Sequence, residues 1–239
     1  MGVDDEATAR RVIIDEGSLS KTVDAVAALA WAGGSLPATK RRRVARWLAG
    51  RQGLPGAYAD TFAGFADELE RGIVVFTGER ITSASAKHIL GEETSRVLRQ
   101  LDVTDPDAQR ALDGASAGLM SCLERAARDP RHTNPGKYCC GKCTVGLWRN
   151  LQAGNLDRHE ERLSQGIGDL RRRRKGEHEW QAYPFWYTVL ALTDVDLPEA
   201  RQELTYAAPG LEPVAGRRRP TTVYAQRRQD LARRALARI

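Results

Sequence analysis

The sequence predicts an all-α protein built from helical hairpins, and three observations support that fold class. Apolar residues recur three and four positions apart through most of the chain, as at Leu112, Ala115 and Leu119. Serine, aspartate and proline residues stand where helices would start, and glycines stand where they would end. Only residues 72–76 have the composition of a strand, and one short strand cannot form a sheet by itself.

The helices predicted along the chain cover residues 21–31, 37–52, 62–69, 83–98, 105–126, 139–154, 156–173, 183–192, 198–207 and 223–237. Ser20 and Asp105 are expected N-caps, because their side-chain oxygens can accept a hydrogen bond from an amide in the first turn. Ser83 or Ser85 can open the fourth of these helices. Pro37 suits a first helical turn, where its missing N–H is no loss.

Residues 209–220 form the clearest linker candidate, since prolines and a glycine interrupt the helical pattern there. The chain is therefore expected to divide into an all-α helical-hairpin domain over residues 1–208 and a linker with a basic C-terminal helix over 209–239. The first of these contains a cysteine-bearing loop at 129–143.

Composition places the chain among ordinary water-soluble globular proteins. Its 239 residues are 41% hydrophobic and 28% charged, which is typical of a packed domain. The longest apolar runs are far shorter than the roughly 20 residues that span a bilayer. The acidic N-terminus lacks the apolar segment of a signal peptide. A cytoplasmic location is the resulting expectation, and there clustered cysteines bind metals or undergo redox chemistry more often than they form structural disulfides.

Positive charge is concentrated at the C-terminus. The whole chain carries +6, whereas the segment after residue 216 holds eight arginines and one acidic residue, so the rest is close to neutral. These arginines are Arg217, Arg218, Arg219, Arg227, Arg228, Arg233, Arg234 and Arg238. Such a tail is predicted to contact nucleic acid non-specifically, although a solvated terminal helix explains the same charges. A second basic run at 171–175 can cap a helix end or contact a phosphate.

Residues 47–58 read Trp-Leu-Ala-Gly-Arg-Gln-Gly-Leu-Pro-Gly-Ala-Tyr and resemble the QW motif of squalene-cyclase and prenyltransferase repeats. Gln52, Gly56 and Tyr58 stand at motif positions, and residues 176–192 form a partial echo whose spacing is longer by two. The resemblance implies an α/α toroid-like arrangement of helix pairs. HEAT-like helical repeats are the alternative.

The resemblance also implies an apolar or isoprenoid-like substrate in an aromatic interior. The aromatic residues at 148, 180 and 185–187 can line such a cavity, or they can pack in an ordinary core. The zinc-ligand order of the protein prenyltransferases and the Asp-x-Asp-Asp motif of the cyclases have no counterpart in the sequence. The resemblance therefore concerns the fold more than the activity.

The four cysteines of the chain form the strongest chemical signal. Cys139, Cys140 and Cys143 lie within five residues, and Cys122 lies on the preceding predicted helix. The two-residue gap between Cys140 and Cys143 is usual in zinc sites and iron–sulfur sites. The sequence therefore predicts a zinc site or an iron–sulfur cluster, completed by Cys122 or His132.

The same thiols allow two other interpretations. Cys143 can form a redox-active disulfide with Cys140 or Cys139, although no histidine follows closely after Cys143. Cys122 lies on the apolar face of its helix, where a cysteine packs as a small hydrophobe. If all four thiols are structural, the protein binds no cofactor through them.

His88 and Glu92 are the candidate catalytic pair. They are four residues apart and therefore on one helical face, where they can orient a base or a ligand. An ordinary pair on a partly exposed helix explains the same spacing. Gly91 costs about 1 kcal/mol against alanine inside a helix, which predicts a close approach there by another element or a ligand.

Three functional hypotheses follow. The first is a metal-binding helical-repeat protein of the prenyltransferase or terpene-cyclase type. The second is a nucleic-acid- or protein-binding helical module that uses the arginine-rich tail and residues 171–175. The third is a thiol-redox protein of the CxxC type. An enzyme and an inert scaffold are equally compatible with the sequence.

Overall fold

The structure is a computed structural model and describes residues 13–129 and 134–239. The helices in these two ranges are α1 (Leu19–Trp31), α2 (Ala38–Ala49), α3 (Ala66–Arg71), α4 (Ala84–Gln100), α5 (Pro106–Ala127), α6 (Gly141–Gly154), α7 (His159–Arg172), α8 (Phe185–Asp194), α9 (Pro198–Ala215) and α10 (Val223–Leu236). The strands are β1 (Ile73–Val74), β2 (Arg80–Ile81), β3 (Arg174–Lys175) and β4 (Glu179–Trp180). The all-α class is confirmed.

One of the two predicted N-caps is right and the other is wrong. Asp105 caps α5, because its side chain accepts hydrogen bonds from the amides two and three residues further on. Helix α1 starts earlier than predicted, and Ser18 caps it by accepting from the amide of Lys21 at 3.2 Å. Ser20 lies in the first turn, where its hydroxyl donates to the buried carboxylate of Glu68 at 2.8 Å.

The strand-like segment at 72–76 contributes to a hairpin and not to a larger sheet. β1 pairs antiparallel with β2, with Ile73 opposite Ile81. β3 pairs with β4 in the same way, around a turn in which Gly176 has a φ of 62°. Each hairpin leads within a few residues into a long buried helix, α4 after the first and α8 after the second.

The predicted linker is wrong over most of its length. Helix α9 continues through Pro209 and Pro213 to Ala215, which leaves residues 216–222 as the irregular connection. The helix survives its prolines because its apolar face stays packed, with Leu211 completely buried. Helix α10 then packs against α8 and α9, so the C-terminal segment is part of the same folded unit.

The tail arginines on α10 mostly bond to the body of the protein. Arg227 holds the carboxylate of Asp24 through two hydrogen bonds of 2.7 and 2.9 Å. Arg228 donates to the carbonyl oxygen of Thr77 at 2.7 Å. Three other arginines, at 217–219, are exposed. Nucleic-acid binding by this tail stays a prediction.

The second basic run is also occupied by ion pairs. Arg174 pairs with the buried carboxylate of Glu203 at 2.7 Å, and Arg172 pairs with Asp169 at 3.0 Å. The first of these pairs joins the start of the second hairpin to α9, and the second lies within α7. Phosphate binding at residues 171–175 stays a prediction.

The motif-like segment at 47–58 starts in the last turn of α2 and continues into the loop before α3. The side-chain amide of Gln52 donates to the carbonyl oxygen of Asp60 at 2.8 Å, which belongs to the loop and not to a helix end. Gly56 has a φ of 93°, a conformation that favours glycine. The loop brings Tyr58 onto α4. The toroid-like arrangement of the helices stays a prediction.

Three helices form the centre of the molecule. α4 packs along α6, and α6 packs against α8. α4 is buried from His88 through Leu98, and α6 is buried from Cys143 through Leu151. Most polar groups on these helices therefore need partners within the protein, because they are largely shielded from solvent. Within the described ranges no helix is both long enough and apolar enough to cross a bilayer.

Gly91 on α4 meets a neighbouring element, as the sequence predicted. A Cβ added there would overlap the hydroxyl oxygen of Thr61, in the loop before α3. We expect Gly91→Ala to lower the free energy of unfolding by about 1–3 kcal/mol, because the packed loop has to move. The matched control is Gly168→Ala in α7, where an added Cβ has no neighbour within 4 Å. It should raise that energy by about 0.5–1 kcal/mol in urea unfolding; equal effects at both positions would contradict this interpretation.

Candidate metal centre

The loop before α6 is fixed in place by contacts to α6 and α7. The indole N–H of Trp148 donates to the carbonyl oxygen of Gly136 at 2.8 Å. A Cβ at Gly136 would overlap the carbonyl oxygen of Arg162 on α7, so the backbones touch there. The amide of Tyr138 donates to the hydroxyl of Thr144 at 3.0 Å. These bonds determine where the next two residues, both cysteines, are presented.

The CxxC pair sits at the N-terminus of α6. Cys140 is the N-cap residue, and Cys143 lies in the first turn, completely buried. Their sulfur atoms are 3.4 Å apart. Cys139 immediately precedes the cap and is exposed, so one thiol of the group is open to solvent.

His88 joins this group from α4. Its Nδ1 atom lies 3.3 Å from the Sγ of Cys139. The ligand atoms of His88, Cys139 and Cys143 all lie within 4.8 Å of one another. In a tetrahedral zinc site with Zn–S of about 2.3 Å and Zn–N of about 2.0 Å, neighbouring ligand atoms are about 3.5–3.8 Å apart. Small side-chain movements would therefore bring these atoms to one ion.

Of the two residues predicted to complete the site, only Cys122 lies in the described part of the chain. Cys122 is outside this group, and its Sγ lies 3.1 Å from the hydroxyl oxygen of Tyr58. His132 lies outside the described residues. His88 belongs to the group of possible ligands, whereas the sequence assigned it to a catalytic pair with Glu92. No local signal links residue 88 to a cysteine 51 positions later; only the packing of α4 on α6 does.

Aromatic rings surround His88. The ring centroid of Tyr58 lies 3.6 Å from that of His88, and the ring of Tyr138 lies 5.3 Å away. Burial lowers the pKa of His88, which favours the neutral imidazole that a metal requires. Burial also raises the pKa of Tyr58 to about 12, so its hydroxyl stays protonated.

Contacts among the three thiols shift their pKa values in opposite directions. Hydrogen bonding with Cys139 and Cys143 lowers the pKa of Cys140, while hydrogen bonding with the neighbouring thiols raises the pKa of Cys139 and of Cys143. A bound divalent ion would favour the deprotonated form of every thiol that ligates it.

A buried charge network continues from this site along the central helices. The carboxylate of Glu93 accepts from Arg96 at 2.7 Å, from Arg149 at 2.5 Å and from the hydroxyl of Tyr187 at 2.6 Å. Arg149 also pairs with Asp194 at 2.8 Å. The network therefore ties α4, α6 and α8 together.

Adjacent carboxyl groups on α4 have opposite environments. Burial alone would raise the pKa of Glu93, but Arg149 and Arg96 lower it to about 2. Burial raises the pKa of Glu92 to about 8, and its carboxyl group accepts a hydrogen bond from the side-chain amide of Asn150 at 2.6 Å. Glu92 is therefore largely protonated at neutral pH. His88 and Glu92 are both buried, and their hydrogen bonds go to Cys139 and Asn150.

Two of the tryptophans expected near an aromatic cavity are core residues. Trp148 is completely buried and stacks against Tyr183 with ring centroids 6.1 Å apart. Trp180 is buried and donates its indole N–H to Glu203 at 2.9 Å. Both rings contribute to packing around the central helices.

The fold and the site together define an all-α protein with a histidine–cysteine cluster at a helix N-terminus. Compared with protein-family models, with curated proteins and with solved structures, the chain gives no match.

Proposed function

We propose that the protein binds one zinc ion through His88, Cys139 and Cys143. The observation that carries the proposal is the convergence of an imidazole and two thiols from α4 and the start of α6 within 4.8 Å. Imidazole nitrogen and thiolate sulfur are the donors that zinc prefers in proteins, and soft thiolates also suit iron–sulfur clusters.

Cys140 is the closest further donor, since its sulfur lies 3.4 Å from that of Cys143. With Cys140 as the fourth ligand the site is closed and structural, and it fastens α4 to the N-terminus of α6. With the fourth position open, a substrate could reach the ion beside the exposed Cys139. We propose the closed form because the four donor side chains already contact one another in pairs.

The test is elemental analysis of protein purified without oxygen or chelator. About one zinc per chain supports the proposal, and replacement by cobalt should give the intense visible spectrum of a tetrahedral thiolate site. Stoichiometric iron with a brown colour would assign the same ligands to a cluster instead. A metal-free protein that takes up neither zinc nor cobalt would contradict both.

A prenyltransferase-like activity on an apolar substrate is a separate proposal. It is supported by the all-α class and by the turn at Gly56, which carries Tyr58 onto His88. Turnover of an isoprenoid substrate by the zinc-loaded protein would be its direct test.

Dithiol redox chemistry is the second candidate, and the position of Cys140 favours it. In this pair a half-buried cysteine caps a helix and a completely buried cysteine follows one turn later. The Cys140 thiolate would attack a substrate disulfide and form a mixed disulfide. Cys143 would then displace the substrate, which leaves a Cys140–Cys143 disulfide and two substrate thiols.

The redox candidate has its own test, on protein from which any metal has been removed. Metal-free protein treated with a small disulfide should lose two hydrogens in the mass spectrum, and Cys143→Ala should instead retain the reagent on Cys140. If both thiols react independently with two reagent molecules, the redox assignment is wrong.

A further inference from the structure

A polar cavity lies at the far end of the charge network, away from the cysteines. It has a volume of about 210 Å³ and lies where α1, α4, α6, α8 and α10 meet. Its polar wall comes from one residue or two of each helix, namely Trp31, Arg96, Gln100, Arg149, Asp194 and Arg234. Three positive charges and one negative charge therefore face this space.

Two hydrogen-bond donors in this wall have no partner in the described part of the chain. Arg96 is almost completely buried, with 6% of its side chain exposed, and it uses Nε for Glu93 and Nη1 for Gln100. Its Nη2 is buried and unpaired, and so is the indole N–H of Trp31. A buried donor without an acceptor costs about 1–3 kcal/mol, so an acceptor in the cavity would relieve both.

Arg234 is held in a fixed orientation at the cavity. The guanidinium of Arg234 lies over the indole ring of Trp31 at 3.6 Å and donates to the carbonyl oxygen of Trp31 at 2.8 Å. Stacking and this bond hold its charge at the mouth of the cavity. The nearby carboxylates, Glu93 and Asp194, are paired with Arg96 and Arg149, and Arg234 leaves the group with an excess of one positive charge.

We propose that this cavity binds a small oxyanion, a phosphate or carboxylate group, through Arg96, Arg234 and the indole N–H of Trp31. Arginine guanidinium groups match the paired oxygens of such ligands. The apolar part of the wall, which includes Phe76 and Leu190, gives room for a small organic portion beside the charged group.

Calorimetric titration of the full chain with inorganic phosphate tests this proposal, at constant ionic strength set with chloride. We expect saturable binding with a Kd of about 1 mM or tighter. Arg234→Gln should weaken it about tenfold. The matched control is Arg233→Gln, the adjacent exposed arginine, which also loses one charge and one bond to a backbone carbonyl but does not line the cavity. Asp194→Asn should strengthen binding, because it removes the opposing charge.

Three outcomes would overturn the proposal. The first is binding that does not saturate at phosphate concentrations of about 10 mM, as expected if the cavity holds water alone. The second is an equal loss of affinity in Arg233→Gln and Arg234→Gln, which would mean surface attraction only. The third is an unchanged affinity in Asp194→Asn. Acetate in place of phosphate distinguishes the carboxylate from the phosphate form of the ligand.

Discussion

Cys143→Ala is expected to abolish zinc binding and to lower the melting temperature by about 10 °C or more. Cys143 is completely buried at the start of α6, and its sulfur lies 3.4 Å from that of Cys140. A zinc ion bound there stabilises the folded state, because the unfolded chain does not hold the ligands together. Metal content and thermal unfolding, measured on the same sample, check the two effects together.

The control for this variant is Cys122→Ala, whose thiol contacts Tyr58 and lies outside the ligand group. It should keep its zinc and most of its melting temperature. A chelator adds a second control: without metal, wild-type protein and Cys143→Ala should unfold within a few degrees of each other, since the small side chain itself contributes little. If Cys143→Ala retains a full zinc ion, the metal centre is wrong.

Glu93→Gln should lower the free energy of unfolding by about 3–5 kcal/mol at pH 7. The substitution leaves the buried guanidinium groups of Arg96 and Arg149 without the carboxylate that they share. The pKa of Glu93 is about 2 in the folded protein, against 4.5 for an ordinary glutamate. Its contribution is therefore complete above about pH 4.5 and is lost as the pH falls towards 2. Urea unfolding at a series of pH values measures this directly.

Glu92→Gln is the matched control, because it neutralises the neighbouring residue on the same helix. The pKa of Glu92 is raised to about 8, so burying its charge costs stability as the pH rises from 4.5 to 8. The amide variant should be more stable than wild type at pH 8 and equal to it near pH 4. If the two variants show the same pH dependence, the assignment of opposite charge states to Glu92 and Glu93 fails.

The sequence predicted elements whose signals are local. Asp105 followed by proline is sufficient to place the start of α5, and the apolar stripes place the helices. Pro209 led to a wrong prediction of a linker. A helix can continue through a proline when tertiary packing holds its apolar face, and Leu211 on this helix is completely buried. The sequence allows the hydroxyl of Ser20 either to cap α1 or to donate a hydrogen bond to Glu68. Only the tertiary contact between these two residues determines which of these occurs.

The sequence predicted the cysteines of the candidate site but did not predict that His88 lies beside them. Cys139, Cys140 and Cys143 are neighbours in the sequence, so their density could be read directly. His88 comes from a helix formed 51 residues earlier, and the sequence contains no rule for which helix packs on α6. The charge network was missed for the same reason, since Glu93 and Arg149 meet only because α4 and α6 are both buried.

Helix α4 sets the distance between the two proposed sites, the cysteine cluster and the oxyanion cavity. His88, Glu92 and Arg96 are spaced four residues apart, so they follow one face of the helix and place the cysteine cluster and the oxyanion cavity about 12 Å apart along its axis. Inserting or deleting a single residue between His88 and Arg96 would rotate one site by about 100° relative to the other. We therefore expect this segment to tolerate substitutions more readily than a change of length.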